Sequence, residues 1–129
     1  MTIPNRSIAI VDDDGRVLES LANLLASFGY RPRPFLSAAD MLAAGVLSQV
    51  CCVITDREMP VMNGLELLER IRQSGLSVPV IVITGKLSED TESFYLSRGA
   101  SGFLRKPLDC DILYAMLERL CHSCAGSPP

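Results

Sequence analysis

Five short apolar runs alternate with five segments of helical periodicity, and this alternation constrains the fold more than any other feature of the chain. Ser7 to Val11 is an apolar run of strand length. Residues 16 to 28 carry Val17, Leu18, Leu21, Leu24, Leu25 and Phe28 at three-to-four spacing, the mark of one buried helix face, and Gly29 ends the pattern. Arg31 to Phe35 reads as a second strand. Its Pro32 and Pro34 cannot donate to a ladder, which puts it at a sheet edge. Ser37, with Asp40 three residues on, predicts a helix start carried by Met41, Leu42 and Val46. Val50 to Thr55 is apolar on both faces and predicts a central strand. The turn-rich segment Asp56 to Asn63 follows, punctuated by Pro60 and Gly64. Leu65, Leu67, Leu68 and Ile71 mark a third helix closed by Gly75, and Val78 to Thr84 is a second fully apolar strand. Residues 88 to 98 form a weaker helix ended at Gly99, and Gly102 to Arg105 is a short last strand. Asp109 can cap a final helix whose face is Ile112, Leu113, Met116, Leu117 and Leu120, and residues 121 to 129 read as a frayed tail.

Strand–helix alternation with buried strands predicts an α/β fold: one open, doubly wound, five-stranded parallel sheet with helices on both faces. A length of 129 residues suits a single domain, with its core at residues 7–120. Apolar residues make up 48% of the chain, enough for a full core. Twelve Lys and Arg against 15 Asp and Glu give −3, without the basic excess of a nucleic-acid or anionic-membrane surface. No apolar run approaches the roughly 20 residues of a membrane span, and Met1 to Arg6 lacks a signal pattern. The expectation is a cytoplasmic domain with no membrane and no direct nucleic-acid contact.

The five cysteines fit that compartment as reduced thiols. Cys51 and Cys52 lie in an apolar stretch, where cysteine acts as a small hydrophobe. Cys121-His122-Ser123-Cys124, with Cys110, offers four soft ligands for zinc. No second ligand pair stands at zinc-finger spacing, however, and the cluster falls where the last helix runs out.

In such sheets ligands bind outside the carboxyl ends of the strands. Strand one ends in Asp12-Asp13-Asp14, strand three in Asp56, strand four in Thr84-Gly85-Lys86 and strand five in Lys106-Pro107. Each has an ordinary explanation alone, as a helix cap, a turn opener or a surface charge. Their convergence on one rim is what a structural edge would not require. Crowded carboxylates suit a hard divalent cation, and Mg²⁺ fits a site that keeps waters and a substrate phosphate. A carboxylate can attack phosphorus to give an aspartyl phosphate, while Mg²⁺, Lys106 and the Thr84 hydroxyl neutralise the phosphoryl oxygens.

Four motifs carry a family resemblance: Ile10-Val11-Asp12-Asp13-Asp14, Thr55 through Gly64 (TDREMPVMNG), Ile83-Thr84-Gly85, and Gly102-Phe103-Leu104-Arg105-Lys106-Pro107. Together they resemble the receiver domains of two-component response regulators, from about Ser7 to Leu120, with the segments 55–64 and 78–85 most similar to receivers of the FixJ type. The resemblance implies the flavodoxin-like strand order 2-1-3-4-5 and a phosphorelay role in signal transduction. Asp56 would be the phosphoacceptor, fed by a sensor histidine kinase or phosphotransfer protein. Asp12 and Asp13 would be the acidic pair at Mg²⁺, completed by Asp56 and the backbone carbonyl of Glu58. Thr84 would be the switch hydroxyl, Phe103 the aromatic that moves inward behind it, and Lys106 the phosphoryl contact, with Lys106-Pro107 held cis. Such a phosphoprotein performs self-catalysed phosphoryl acceptance and slow hydrolysis, not metabolic turnover. Its output is a population shift that changes a partner-binding or dimerisation face.

FixJ-type receivers precede a helix-turn-helix module, for which 129 residues leave no room, so the chain reads as a stand-alone receiver or an input half. Glu58 and Lys86 should lie over the mouth of the site, where opposite charges can pair and tune phosphoryl lifetime; solvated rim charges are the plainer alternative. Phe94 and Tyr95 are adjacent on the fourth helix, so both cannot enter the core. A rival reading is a haloacid-dehalogenase-like phosphatase with Asp12 as nucleophile, since Asp12-Asp13-Asp14-Gly15 fits its Asp-x-Asp-Gly start. That reading leaves Asp56 without a purpose and the chain without a cap region. A non-phosphorylated receiver has nothing to recommend it, and no glycine-rich nucleotide loop is present.

Overall fold

The computed structural model describes residues 6–85 and 92–125, the last four by backbone alone. Five strands and five helices alternate: β1 (Ser7–Val11), α1 (Gly15–Ser27), β2 (Arg31–Phe35), α2 (Ala38–Ala44), β3 (Cys52–Asp56), α3 (Gly64–Gln73), β4 (Val80–Thr84), α4 (Glu92–Ser97), β5 (Gly102–Arg105) and α5 (Cys110–Ala125). The strands form one parallel sheet in the order β2-β1-β3-β4-β5. The proline-bearing β2 takes an edge, as its missing donors require.

Successive side chains of a strand point to opposite faces, and this chain sorts them by residue type. Ile8, Ile10, Ile54, Ile81 and Ile83 pack on one face against α1 and α5, through Leu18, Leu21, Leu25, Leu113 and Leu117. Ala9, Val11, Val53, Val80 and Val82 pack on the other against Met41 of α2, Leu67 and Ile71 of α3, and Tyr95 of α4. With both faces covered, the central strands β3 and β4 are buried throughout. Each fully buried Ile or Leu contributes about 1.5–3 kcal/mol, so the sheet is held from both sides.

Local signals fix the helix starts. Asp14 accepts from the Arg16 amide at 2.9 Å and Ser37 from the Asp40 amide at 3.0 Å. Asp109 accepts from Asp111 and Ile112 at 2.9 and 3.1 Å. Helix α3 opens on a capping box in which Asn63 and Glu66 exchange hydrogen bonds of 2.9 and 3.0 Å. Strand β3 begins and ends later than the sequence predicts, taking in Asp56 as its last residue. Thus Asp56 is held by the ladder, opposite Ile83, instead of opening a turn.

Three expectations fail at the C-terminus. Helix α5 continues to Ala125, so residues 121–125 are not a frayed tail, and Ile112, placed on its inner face by the sequence, is half exposed. Cys121 stands four residues after Leu117 and extends the buried stripe begun by Leu113. It is also not a reduced thiol: Cys51 and Cys121 form a disulfide, with Cα atoms 5.3 Å apart. Cys52 stays free and buried, and Cys110 free and exposed. The zinc alternative thereby loses Cys121; the side chains of His122 and Cys124 lie outside the described residues. The disulfide closes a separation of 70 residues, for which chain entropy alone gives about 4 kcal/mol. Reduction is therefore expected to lower the guanidinium unfolding midpoint substantially and to add two titratable thiols. Cys51→Ala should reproduce that midpoint shift and abolish its dependence on reductant.

Candidate functional site

The carboxyl ends of β1, β3, β4 and β5 meet at one rim. Asp12, directly after β1, is 4% exposed; its Oδ1 accepts from the Asp14 amide at 2.9 Å. Asp13 is exposed and Asp14 is spent on capping α1. Asp56 closes β3 at 6% exposure, and Thr84 closes β4 at 3%. Lys106 follows β5, anchored by its amide on the Thr84 carbonyl at 2.9 Å, and the Lys106-Pro107 bond is cis as expected.

The loop after β3 returns to the rim through Gly64, whose amide donates to the Arg57 carbonyl at 3.1 Å. A Cβ on Gly64 would collide with the carbonyl oxygen of Asp56 itself. Gly64→Ala is therefore expected to cost about 1–3 kcal/mol by forcing backbone apart, and to misplace Asp56. Urea melts and phosphorylation rate should fall together, unlike the effect of Gly45→Ala, where a Cβ meets nothing and the left-handed φ of 67° costs stability alone, away from the site.

Carboxylate oxygens of Asp12, Asp13 and Asp56 lie within 4.8 Å of one another. Lys106 Nζ stands 3.1 Å from Asp56 Oδ1 and 3.5 Å from Asp12 Oδ2. Burial pushes the Asp56 carboxyl up, the Lys106 ammonium pulls it down, and the charges of Asp12 and then Glu58 push it up again; the net result is above the ordinary range. For Lys106, burial lowers and the adjoining Asp56 and Asp12 raise, leaving the ammonium firmly protonated. Among the described residues one cation, paired with two of the three carboxylates, faces this cluster, an excess of negative charge that a divalent ion would relieve. Asp56 Oδ1 is buried and receives no well-aligned hydrogen bond, Lys106 meeting it as a point charge. An all-oxygen donor set with an unsatisfied buried oxygen fits Mg²⁺. The Glu58 carboxylate stands apart from this grouping among the described residues.

Glu58 is where the geometry adds most. Its carboxylate accepts from the Thr84 hydroxyl at 2.9 and 3.1 Å and from the Gly85 amide at 3.3 Å. The expected partner Lys86 lies outside the described residues. Phe103 is buried and stacks on Tyr95 with centroids 4.8 Å apart. The Tyr95 hydroxyl in turn accepts from Arg57 Nε at 2.8 Å, linking the residue beside Asp56 to the aromatic pair. Of the adjacent aromatics, Tyr95 is the buried one. Phe94 stays at the helix edge with the Arg98 guanidinium 4.7 Å over its ring. The Arg57–Tyr95 bond was not read from the sequence, where 38 residues separate the partners. An apolar cavity of about 410 Å³, walled by Val17, Leu21, Leu24, Pro107 and Leu108, opens onto Asp56 and Lys106.

Residues 8–118 match the family described as response regulator receiver domain. The transcriptional regulatory protein FixJ of Azorhizobium caulinodans is 41% identical over 102 residues, 79% of this chain and 48% of that protein. The tetrathionate response regulatory protein TtrR of Salmonella typhimurium is 36% identical over 113 residues, 88% of this chain and 55% of that protein. The chain therefore spans about half the length of these curated relatives. Among solved structures, that of FixJ-N superposes with a TM-score of 0.80 at 31% identity, covering 95% of this chain and 96% of that one.

Proposed function

Since the chain belongs to the response regulator receiver family of two-component systems, we propose that Asp56 is its phosphoacceptor and that residues 6–125 act as one phosphorylation-driven switch. The observation that carries this is the position of Asp56: buried at the end of β3, within reach of two further carboxylates and 3.1 Å from Lys106.

In the reaction, an Asp56 carboxylate oxygen forms a bond to phosphorus while the donor's phosphorus–nitrogen bond breaks, the donor being a histidine of a kinase or phosphotransfer protein in the cytoplasm. Lys106 stays protonated and faces the oxygens that gain charge. Asp12, Asp13, Asp56 and the Glu58 carbonyl would hold Mg²⁺, which supplies neutralisation of the phosphoryl oxygens when bound. Thr84 would turn its hydroxyl to the phosphoryl group, and Phe103, already buried against Tyr95, would carry the change outward. Leu96 of α4 and Ile112 of α5 are exposed apolar side chains, suited to a partner or to a second copy on phosphorylation, whereas Tyr114 turns the other way, against Phe28. The activity is self-catalysed acceptance followed by hydrolysis, not turnover of a metabolite.

The phosphatase alternative is unsupported. Asp12 has one oxygen tied to the Asp14 amide and the other facing Lys106, and the family match covers the segment that alternative leaves idle. Incubation with a small phosphodonor and Mg²⁺, followed by mapping of the acyl phosphate, decides the matter. Label on Asp56 is expected; label on Asp12 would overturn the assignment.

A further inference from the structure

Glu58 occupies the hydroxyl that the proposed switch requires. It lies two residues after Asp56, half-buried, in the loop that Gly64 folds back over the strand end. Both its oxygens receive the Thr84 hydroxyl, and one also receives the Gly85 amide. A threonine hydroxyl has a single proton to donate. Donation to Glu58 and donation to a phosphoryl oxygen on Asp56 therefore exclude each other. The acceptor is a carboxylate side chain, and hydrogen bonds to carboxylates are about twice as strong as neutral ones, so the competition is not negligible.

We propose that Glu58 is an internal stand-in for the phosphoryl group: a positioning residue that holds Thr84 in the unphosphorylated arrangement and sets the threshold for switching. This rests on the reading of Asp56 as phosphoacceptor and Thr84 as the hydroxyl that reaches it. Phosphorylation must displace the carboxylate from Thr84 before the hydroxyl can turn. The apparent affinity for the acyl-phosphate mimic is the intrinsic affinity multiplied by the fraction of molecules in which Thr84 has left Glu58. The role belongs to the side chain, so the Glu58 carbonyl proposed for Mg²⁺ is untouched by truncation to alanine.

The test uses beryllofluoride, an acyl-phosphate mimic, titrated at saturating Mg²⁺ and followed through backbone amide resonances. Glu58→Ala is expected to lower the midpoint about tenfold, equivalent to about 1.4 kcal/mol. Glu58→Gln, which keeps an acceptor but loses the charge, should fall between. Removing a negative charge near Asp56 could itself favour an anionic ligand, and a double-mutant cycle separates the two causes. In a Thr84→Ala background the gain from Glu58→Ala should vanish, and Thr84→Ser should restore it. A gain that persists undiminished without the hydroxyl is charge relief and overturns the proposal, as does an unchanged midpoint in Glu58→Ala. If Thr84→Ala introduced into the Glu58→Ala protein leaves its beryllofluoride midpoint where it was, the reading of Thr84 as the switch fails instead. A separate measurement needs no Thr84 variant. In the unliganded protein, Glu58→Ala should shift the Gly85 amide resonance, and a static resonance would show that the carboxylate is not seated there.

Discussion

Asp56→Asn is expected to abolish acyl-phosphate formation and the beryllofluoride response while leaving the fold intact, and to make the metal-free protein more stable at neutral pH. The first effect follows from chemistry: an amide matches the carboxylate in size but is no nucleophile and no anionic ligand for Mg²⁺. The second follows from linkage. Asp56 is 6% exposed, and burial, with the charge of Asp12, raises its carboxyl above the ordinary range despite Lys106. A carboxyl whose folded pKa exceeds its unfolded one binds its proton more readily in the native state. Its stabilising contribution is complete below the unfolded pKa and is lost as pH rises through the folded value. At neutral pH the wild type carries that loss and the asparagine variant does not. Denaturant melts in chelator should show the variant ahead near pH 7, with the gap narrowing in acid below the ordinary carboxylate range. Mg²⁺ should reverse the order: at a hundred times its dissociation constant a ligand adds about 2.7 kcal/mol, available only to the intact carboxylate set. Equal stability of the two proteins in chelator across pH would contradict the electrostatic account of the site.

The same residues explain how far the sequence could be read. Patterns repeated along the chain were legible because local physics writes them: the apolar runs of the strands, the prolines of β2, the Ser37 and Asp109 caps. The rim was legible because four strand ends each supply a polar residue of one chemistry, and parallel strands bring those ends together. Features that depend on one pairing across the fold were not. Cys51 and Cys121 lie 70 residues apart, and each reads locally as a small hydrophobe. Glu58 and Thr84 are 26 apart; a charge at Lys86 was the more obvious partner for the glutamate, and only the geometry turns it toward the hydroxyl. Between Phe94 and Tyr95 the sequence offers no choice. The Arg57 guanidinium at the tyrosine hydroxyl and the Phe103 ring make it. Asn63 and Glu66 were a missed opportunity, since a capping box three residues apart is a local signal that the turn-rich reading of 56–63 passed over.

Lys106→Met is expected to slow phosphoryl acceptance by about 10²–10³-fold, the usual consequence of deleting one preorganised stabiliser of transition-state charge. At the same time it should tighten Mg²⁺ binding at neutral to alkaline pH. The opposite signs have one cause. Nζ lies 3.1 Å from Asp56 and 3.5 Å from Asp12, so the ammonium partly neutralises two of the three carboxylates. Without it a cation meets a more negative cluster, but the phosphoryl oxygens lose their positive partner. The Asp56 carboxyl should rise further, since Lys106 is the group pulling it down against burial. A higher pKa means protonation sets in sooner as pH falls, so the pH at which half of the Mg²⁺ affinity is lost should move upward in the variant. Metal titrations across pH and single-turnover phosphorylation with a small donor measure both halves. A merely damaged site would lose metal affinity and rate together. Affinity that rises while the rate collapses would place the lysine's charge in service of the transferred group, and a parallel fall in both would remove it from that role.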